Sequence, residues 1–212
     1  MSADRRVLFL GDSFVAGAGD PAALGWPGRV CAAAWAAGVP VTPYNLGVRR
    51  ETSEQVAARW RAEAGPRLAA GADCRVTVSF GANDMVREGD GPTVAPARSA
   101  EVLAALLDEA ASLGLPAFVV GPAPVGDPRD DRRIVALTAR YAHVAAAAAV
   151  PFVPVAPALL ATPVWRAEAA AGDGAHPGAG GYAALADLVL AGGWLDWLRS
   201  APARARGGQP TA

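Results

Sequence analysis

The chain of 212 residues contains no lysine; every one of its 19 basic residues is an arginine. That absence removes mechanisms built on a lysine nucleophile or Schiff base, and with them the phosphate-gripping lysine of a P-loop. Cysteine is nearly missing too. Cys31 and Cys74 lie far apart, without the paired spacing of a zinc or redox motif, and are expected as buried free thiols. Two histidines add no ligand spacing, so neither a metal nor an organic cofactor is expected. No apolar run approaches the ~20 residues of a membrane span, the Ala-rich stretch Ala145 to Val150 being far too short. Charge is sparse at 18%, the net charge is -1 and the arginines are dispersed, which argues against a nucleic-acid partner. Val7 to Leu10 is shorter than a signal-peptide core and no small-residue cleavage site follows it, so cytoplasmic residence is the expectation.

Hydrophobic residues, at 52%, suffice for one core, and residues 1–200 read as a single domain. Residues 201–212, rich in Arg, Gly and Pro and without apolar periodicity, read as a flexible tail. Strand-length apolar runs recur at Val7 to Leu10, Val41 to Leu46, Arg75 to Phe80, Ala117 to Val120 and Phe152 to Val155. Helix-length segments follow them at Pro27 to Ala37, Ser53 to Leu68, Ala97 to Leu113, Arg129 to Ala149 and Gly180 to Leu198. This alternation predicts an α/β fold, a parallel sheet covered on both faces in three layers. Ligands of such sheets bind beyond the carboxyl ends of the strands.

Chemistry-bearing residues gather at those ends. The first strand runs into Gly11-Asp12-Ser13, which places a hydroxyl at the turn, although the same residues also suit a helix cap. Past the third strand, Gly81-Ala82-Asn83-Asp84 offers a neutral amide donor to an oxyanion, or else an Asx turn. Past the second, Asn45-Leu46-Gly47 offers an unobstructed backbone N–H, or a glycine kept for turn geometry. Asp173-Gly174-Ala175-His176 precedes the last helical segment, and its spacing lets a carboxylate orient one ring nitrogen while the other faces a nucleophile. His143, inside an Ala-rich helical segment, has no such company. Gly17-Ala18-Gly19 lies too far past the first strand, and too close to Pro21, to be a dinucleotide loop.

Together these four elements resemble the SGNH hydrolases, the GDSL-type esterases and lipases, over nearly the whole chain. The resemblance implies a flavodoxin-like five-stranded parallel sheet and a serine esterase that passes through an acyl-enzyme on Ser13. It also implies catalytic Ser13, Asp173 and His176, with an oxyanion hole of Ser13, Gly47 and Asn83. Two positions depart from the pattern. Phe14 replaces the leucine of the family name, one bulky apolar residue for another, and Arg50 stands where many members carry a glycine after Gly47. Arg49 and Arg50 suit either an anionic substrate or solvent. The partner is expected to be a small acyl ester, and nothing in the chain specifies an oligomeric state. Phe14, Trp26, Met85, Val86 and Trp165 adjoin the motif loops and are the expected substrate walls, with core packing the alternative for Trp26 and Trp165. Two other readings of the same residues are a carbohydrate O-deacetylase and a non-catalytic ligand-binding module.

Overall fold

The computed structural model describes residues 4–201; most of the segment read as a tail, residues 202–212, lies outside the described residues. The chain order is β1 (Arg5–Gly11), α1 (Ser13–Ala16), α2 (Gly25–Ala36), β2 (Thr42–Gly47), α3 (Ser53–Ala64), β3 (Asp73–Ser79) and α4 (Ala82–Met85). A short hairpin of β4 (Arg87–Glu88) and β5 (Gly91–Pro92) follows, then α5 (Pro96–Ser112), β6 (Ala117–Val120), α6 (Pro128–Ala147) and β7 (Phe152–Val153). The chain closes with α7 (Val155–Leu160), α8 (Pro163–Ala171), α9 (Ala179–Ala191) and α10 (Trp194–Arg199). Five of the strands form one parallel sheet in the order β2-β1-β3-β6-β7, covered by helices in a three-layer α/β/α arrangement.

The interior strand β1 explains the layering. Val7, Leu8, Phe9 and Leu10 are at most 1% exposed, so both faces of β1 must be covered, and helices on either side do this. Phe9 meets the edge of Trp26 from α2 at 5.5 Å and stacks on Trp194 from α10 at 6.1 Å. Burying each such side chain contributes about 1.5–3 kcal/mol. Register then decides where chemistry can occur: Gly11 of β1 pairs level with Gly47 of β2 and with Ser79 of β3. Three consecutive strands therefore end on one line, and the loops carrying Ser13, Arg49 and Asn83 leave the sheet side by side.

At the opposite end of β3, Arg75 is fully buried. It grips Asp73 through two bonds of 2.8 and 3.0 Å, and donates to the carbonyls of Trp197 and Ser200, thereby tying α10 to the sheet.

Several boundaries differ from the sequence expectation for local reasons. The last helical segment, expected unbroken from Gly180 to Leu198, divides at Gly192-Gly193, where Gly193 takes the left-handed φ of 90°. The segment expected to run on to Leu68 leaves the α-helix at Ala64 and finishes as a 3-10 turn over Gly65–Arg67, where Pro66 has no N–H to donate. Strand β7 stops at Val153 because Pro154 cannot continue the ladder.

Candidate active site

Ser13 is the first residue of α1, directly after β1. Asp12 caps that helix, its side chain accepting the Phe14 N–H at 3.0 Å, so the capping reading of this tripeptide is realised alongside the turn that carries the hydroxyl. Gly11 is required here, because a Cβ would collide with the Ser79 carbonyl of the neighbouring strand. Asp12 is 2% exposed, and burial, reinforced by the nearby Asp84 and Glu51 carboxylates, pushes its carboxyl up to about 7 despite the Phe14 N–H bond.

His176 comes from the loop before α9, across 163 residues of sequence, and its Nε2 lies 2.7 Å from Ser13 Oγ. Its Nδ1 lies 2.7 Å from Asp173 Oδ2. The other oxygen, Asp173 Oδ1, accepts the backbone N–H groups of Ala175 at 3.1 Å and His176 at 2.9 Å. Those bonds, the His176 N–H foremost, hold the Asp173 carboxyl well below the ordinary carboxylate range. A permanently ionised carboxylate favours the tautomer that carries its proton on Nδ1, which leaves Nε2 as the acceptor for the Ser13 hydroxyl. The arrangement can therefore take a proton from Ser13 and stabilise the resulting imidazolium.

Asn83 lies on α4, after Gly81, whose φ is 107°. Any Cβ at Gly81 would approach Tyr141 Oη to 2.8 Å. The Asn83 amide donates one hydrogen to the Glu51 carbonyl at 2.9 Å, and a side-chain amide has a second to give. Below it, Asp84 is fully buried and accepts from the Ser53 N–H at 2.7 Å and from Ser99 Oγ, which also bonds Tyr141 Oη at 2.6 Å.

Gly47 closes β2 level with Gly11 of β1. Its N–H already donates to Asn45 Oδ1 at 3.0 Å, while Asn45 Nδ2 donates to the Val15 carbonyl at 2.7 Å. A Cβ at Gly47 would strike Ala16 N and Asp12 O, so this glycine permits the close seating of α1 on β2. Arg50 adopts the left-handed φ of 68° in the following turn. Arg49 brings its guanidinium to 3.5 Å from Asp173 Oδ2, a contact that the reading of Arg49 as a solvated residue did not include.

The expected walls divide. Met85 is wholly buried in the core, a correction, and Trp26 takes its core-packing alternative, committed to Phe9 beneath the sheet. Val86 is half-buried. Phe14 and Trp165 are buried as well, at 3% and 2% exposed; Phe14 stacks on Trp165 at 5.8 Å and lies 5.0 Å from the His176 ring. Trp165 also lines a cleft of about 600 Å³ with Pro124, Gly126, Val135, Leu160 and Gly174. Sequence reasoning missed Glu51 and Arg59, which hold the loop ends together; their partners include main-chain carbonyls, which leave no pattern in a sequence. Among the described residues no cluster of three or more His, Cys, Asp or Glu side chains could hold a metal ion. No helix among them is long and apolar enough to cross a membrane.

Residues 9–184 match the model of the GDSL-like lipase/acylhydrolase family. The chain belongs to that family. It is accordingly a carboxylic ester hydrolase. A lipase/acylhydrolase from Enterococcus faecalis shares its fold with a TM-score of 0.73 at 26% identity, over 95% of this chain and 100% of that one. Axe2, an acetylxylan esterase from Geobacillus stearothermophilus, superposes with a TM-score of 0.72 at 21% identity, over 97% and 100% of the two chains. TesA gives a TM-score of 0.72 at 23% identity, over 89% and 98% of the two chains. At such identities the latter two demonstrate the fold alone. No curated protein matches the chain.

Proposed function

We propose that this GDSL-family hydrolase cleaves small carboxylic esters through an acyl-enzyme on Ser13, with His176 as general base and Asp173 as its orienting carboxylate. The observation that carries the reading is the unbroken hydrogen-bond chain from Ser13 Oγ through His176 to Asp173, both links 2.7 Å long. Ser13 Oγ attacks the ester carbonyl while His176 Nε2 takes its proton. The oxyanion forms beside the Ser13 N–H, which the first turn of α1 leaves without a helical partner, and beside the free amide hydrogen of Asn83. Collapse expels the alcohol, which takes the proton back from His176. Water, deprotonated by the same nitrogen, then releases the acid and regenerates Ser13.

The cleft on the Gly174 side of the Asp173–His176 turn offers Trp165, Leu160 and Val135 to the hydrocarbon part of an ester, beside the charged Asp131, Arg132 and Arg166. The intact proton path weighs against a binding module without turnover. The test sets the wild type beside Ser13→Ala on chromogenic esters of graded acyl length and on acetylated xylosides, with intact-mass detection of a fluorophosphonate adduct. The expected result is a loss of at least about 10³-fold in kcat and no adduct in the variant. Equal turnover by Ser13→Ala would overturn the mechanism, and preference for the xylosides would make the chain a carbohydrate O-deacetylase.

A further inference from the structure

We infer that Arg59 is a positioning residue for the oxyanion hole, acting on Asn83 through Glu51; the inference rests on the reading of Asn83 as an oxyanion donor. Arg59 lies on α3, one turn before Glu63, where a helical arginine would ordinarily form an exposed pair. Its side chain instead is only 17% exposed and reaches under the carboxyl ends of the sheet. Nη2 donates to the Gly11 carbonyl of β1 at 3.1 Å and to the Leu46 carbonyl of β2 at 2.8 Å. Nε donates to Glu51 Oε2 at 2.6 Å. The Glu51 carbonyl in turn receives the Asn83 amide at 2.9 Å.

These contacts make one continuous link. It begins two residues before Ser13, crosses the guanidinium, and ends on the amide proposed to meet the oxyanion. The sheet aligns the ends of β1 and β3, but the Asn83 side chain still has rotamers to choose among. Fastening one of its hydrogens to Glu51 aims the other, and Arg59 refers Glu51 to the same strand end that presents the nucleophile. A planar fork with five donors can serve two carbonyls and a carboxylate at once, which an ammonium group cannot match in direction. Nη1 also lies 3.0 Å from Glu63 Oε2, so the half-buried cation is balanced by two carboxylates.

The experiment measures kcat and KM for Arg59→Met and Glu51→Ala, each in the wild-type and the Asn83→Ala background, with melting curves to confirm folding. Displacing an oxyanion donor without deleting it should cost part of the ~10²- to 10³-fold that deletion costs. Each single variant is thus expected to lose about 10- to 100-fold in kcat with KM within about twofold. In the Asn83→Ala background the same substitutions should cost less than about threefold, because the group they aim is gone. Glu51→Ala decides the matter if Arg59→Met fails to fold. Full kcat in folded variants, or equal losses in both backgrounds, would overturn the role of Arg59 while the Ser13→Ala result still stands. Turnover that survives Ser13→Ala would instead remove the underlying reading, and the role of Arg59 with it.

Discussion

Asp173→Asn should damage the site more than its near-isosteric shape suggests. In the wild type, Oδ1 accepts two backbone N–H groups at 2.9 and 3.1 Å, while Oδ2 faces His176 Nδ1 at 2.7 Å. An asparagine has one acceptor and one donor end. If its oxygen keeps both backbone bonds, its NH₂ points at Nδ1 and demands an acceptor there, which moves the ring proton to Nε2 and turns the base into a donor toward Ser13. If it flips, the oxygen keeps the histidine, but the NH₂ faces two N–H donors. Three bonds against one, at about 1 kcal/mol each, favour the first arrangement and hence the wrong tautomer. Loss of the orienting carboxylate by this route is expected to lower kcat by about 10³- to 10⁴-fold with little change in melting temperature. Steady-state turnover of a chromogenic acetate ester at pH 8 measures the loss, and nitrogen NMR of the labelled histidine reads the tautomer. A kcat within tenfold of wild type, or a ring that keeps its proton on Nδ1, would refute the reasoning.

Two predictions concern stability. Burial raises the Asp12 carboxyl from 3.8 to about 7, so between these values the unfolded chain ionises while the folded one holds its proton. Stability therefore declines as pH rises across that window, by up to about 4 kcal/mol. Asp12→Asn, which keeps an acceptor for the Phe14 N–H, should gain on the wild type in urea unfolding at pH 8 relative to pH 5; a pH-independent difference would contradict this. Arg75→Met leaves Asp73 with Arg5 as its cationic partner and takes the guanidinium donor from the carbonyls of Ser200 and of Trp197, the latter still accepting from Ser200 Oγ. It should cost about 3–5 kcal/mol in unfolding free energy. Because Arg75 lies at the far end of β3 from Asn83, kcat of the folded variant should be unchanged, and an equal fall in kcat would show that α10 reaches the site.

Much of the fold was legible because its signals are local. Strand β6 emerges with the boundaries expected from its apolar run, and β1 extends beyond Val7 to Leu10 only at its ends. Where boundaries moved, Pro154, Pro66 and the Gly192-Gly193 pair supply the reason. The hairpin of β4 and β5 escaped notice since each strand has only two residues, too few for an alternating pattern. Helices α7 and α8 lie between the last strand and the Asp173 turn in a stretch rich in alanine and proline, where no polar face marks a period.

The site divides along the same line. Gly11-Asp12-Ser13 and Asp173-x-x-His176 are contiguous because a capped turn and an Asx-type loop are closed by bonds to neighbours two or three residues away, and a sequence encodes such bonds directly. That Ser13 meets His176 across 163 residues follows from the packing of α9 against α2. Only tertiary structure decided that Gly47 seats α1 on β2, that Trp26 and Met85 serve the core while Trp165 lines the cleft, and that Arg59 turns inward. Those outcomes depend on which main-chain groups and cavities the folded sheet brings within hydrogen-bond or van der Waals reach. Residue type constrains that reach, but the position of the other strands sets it.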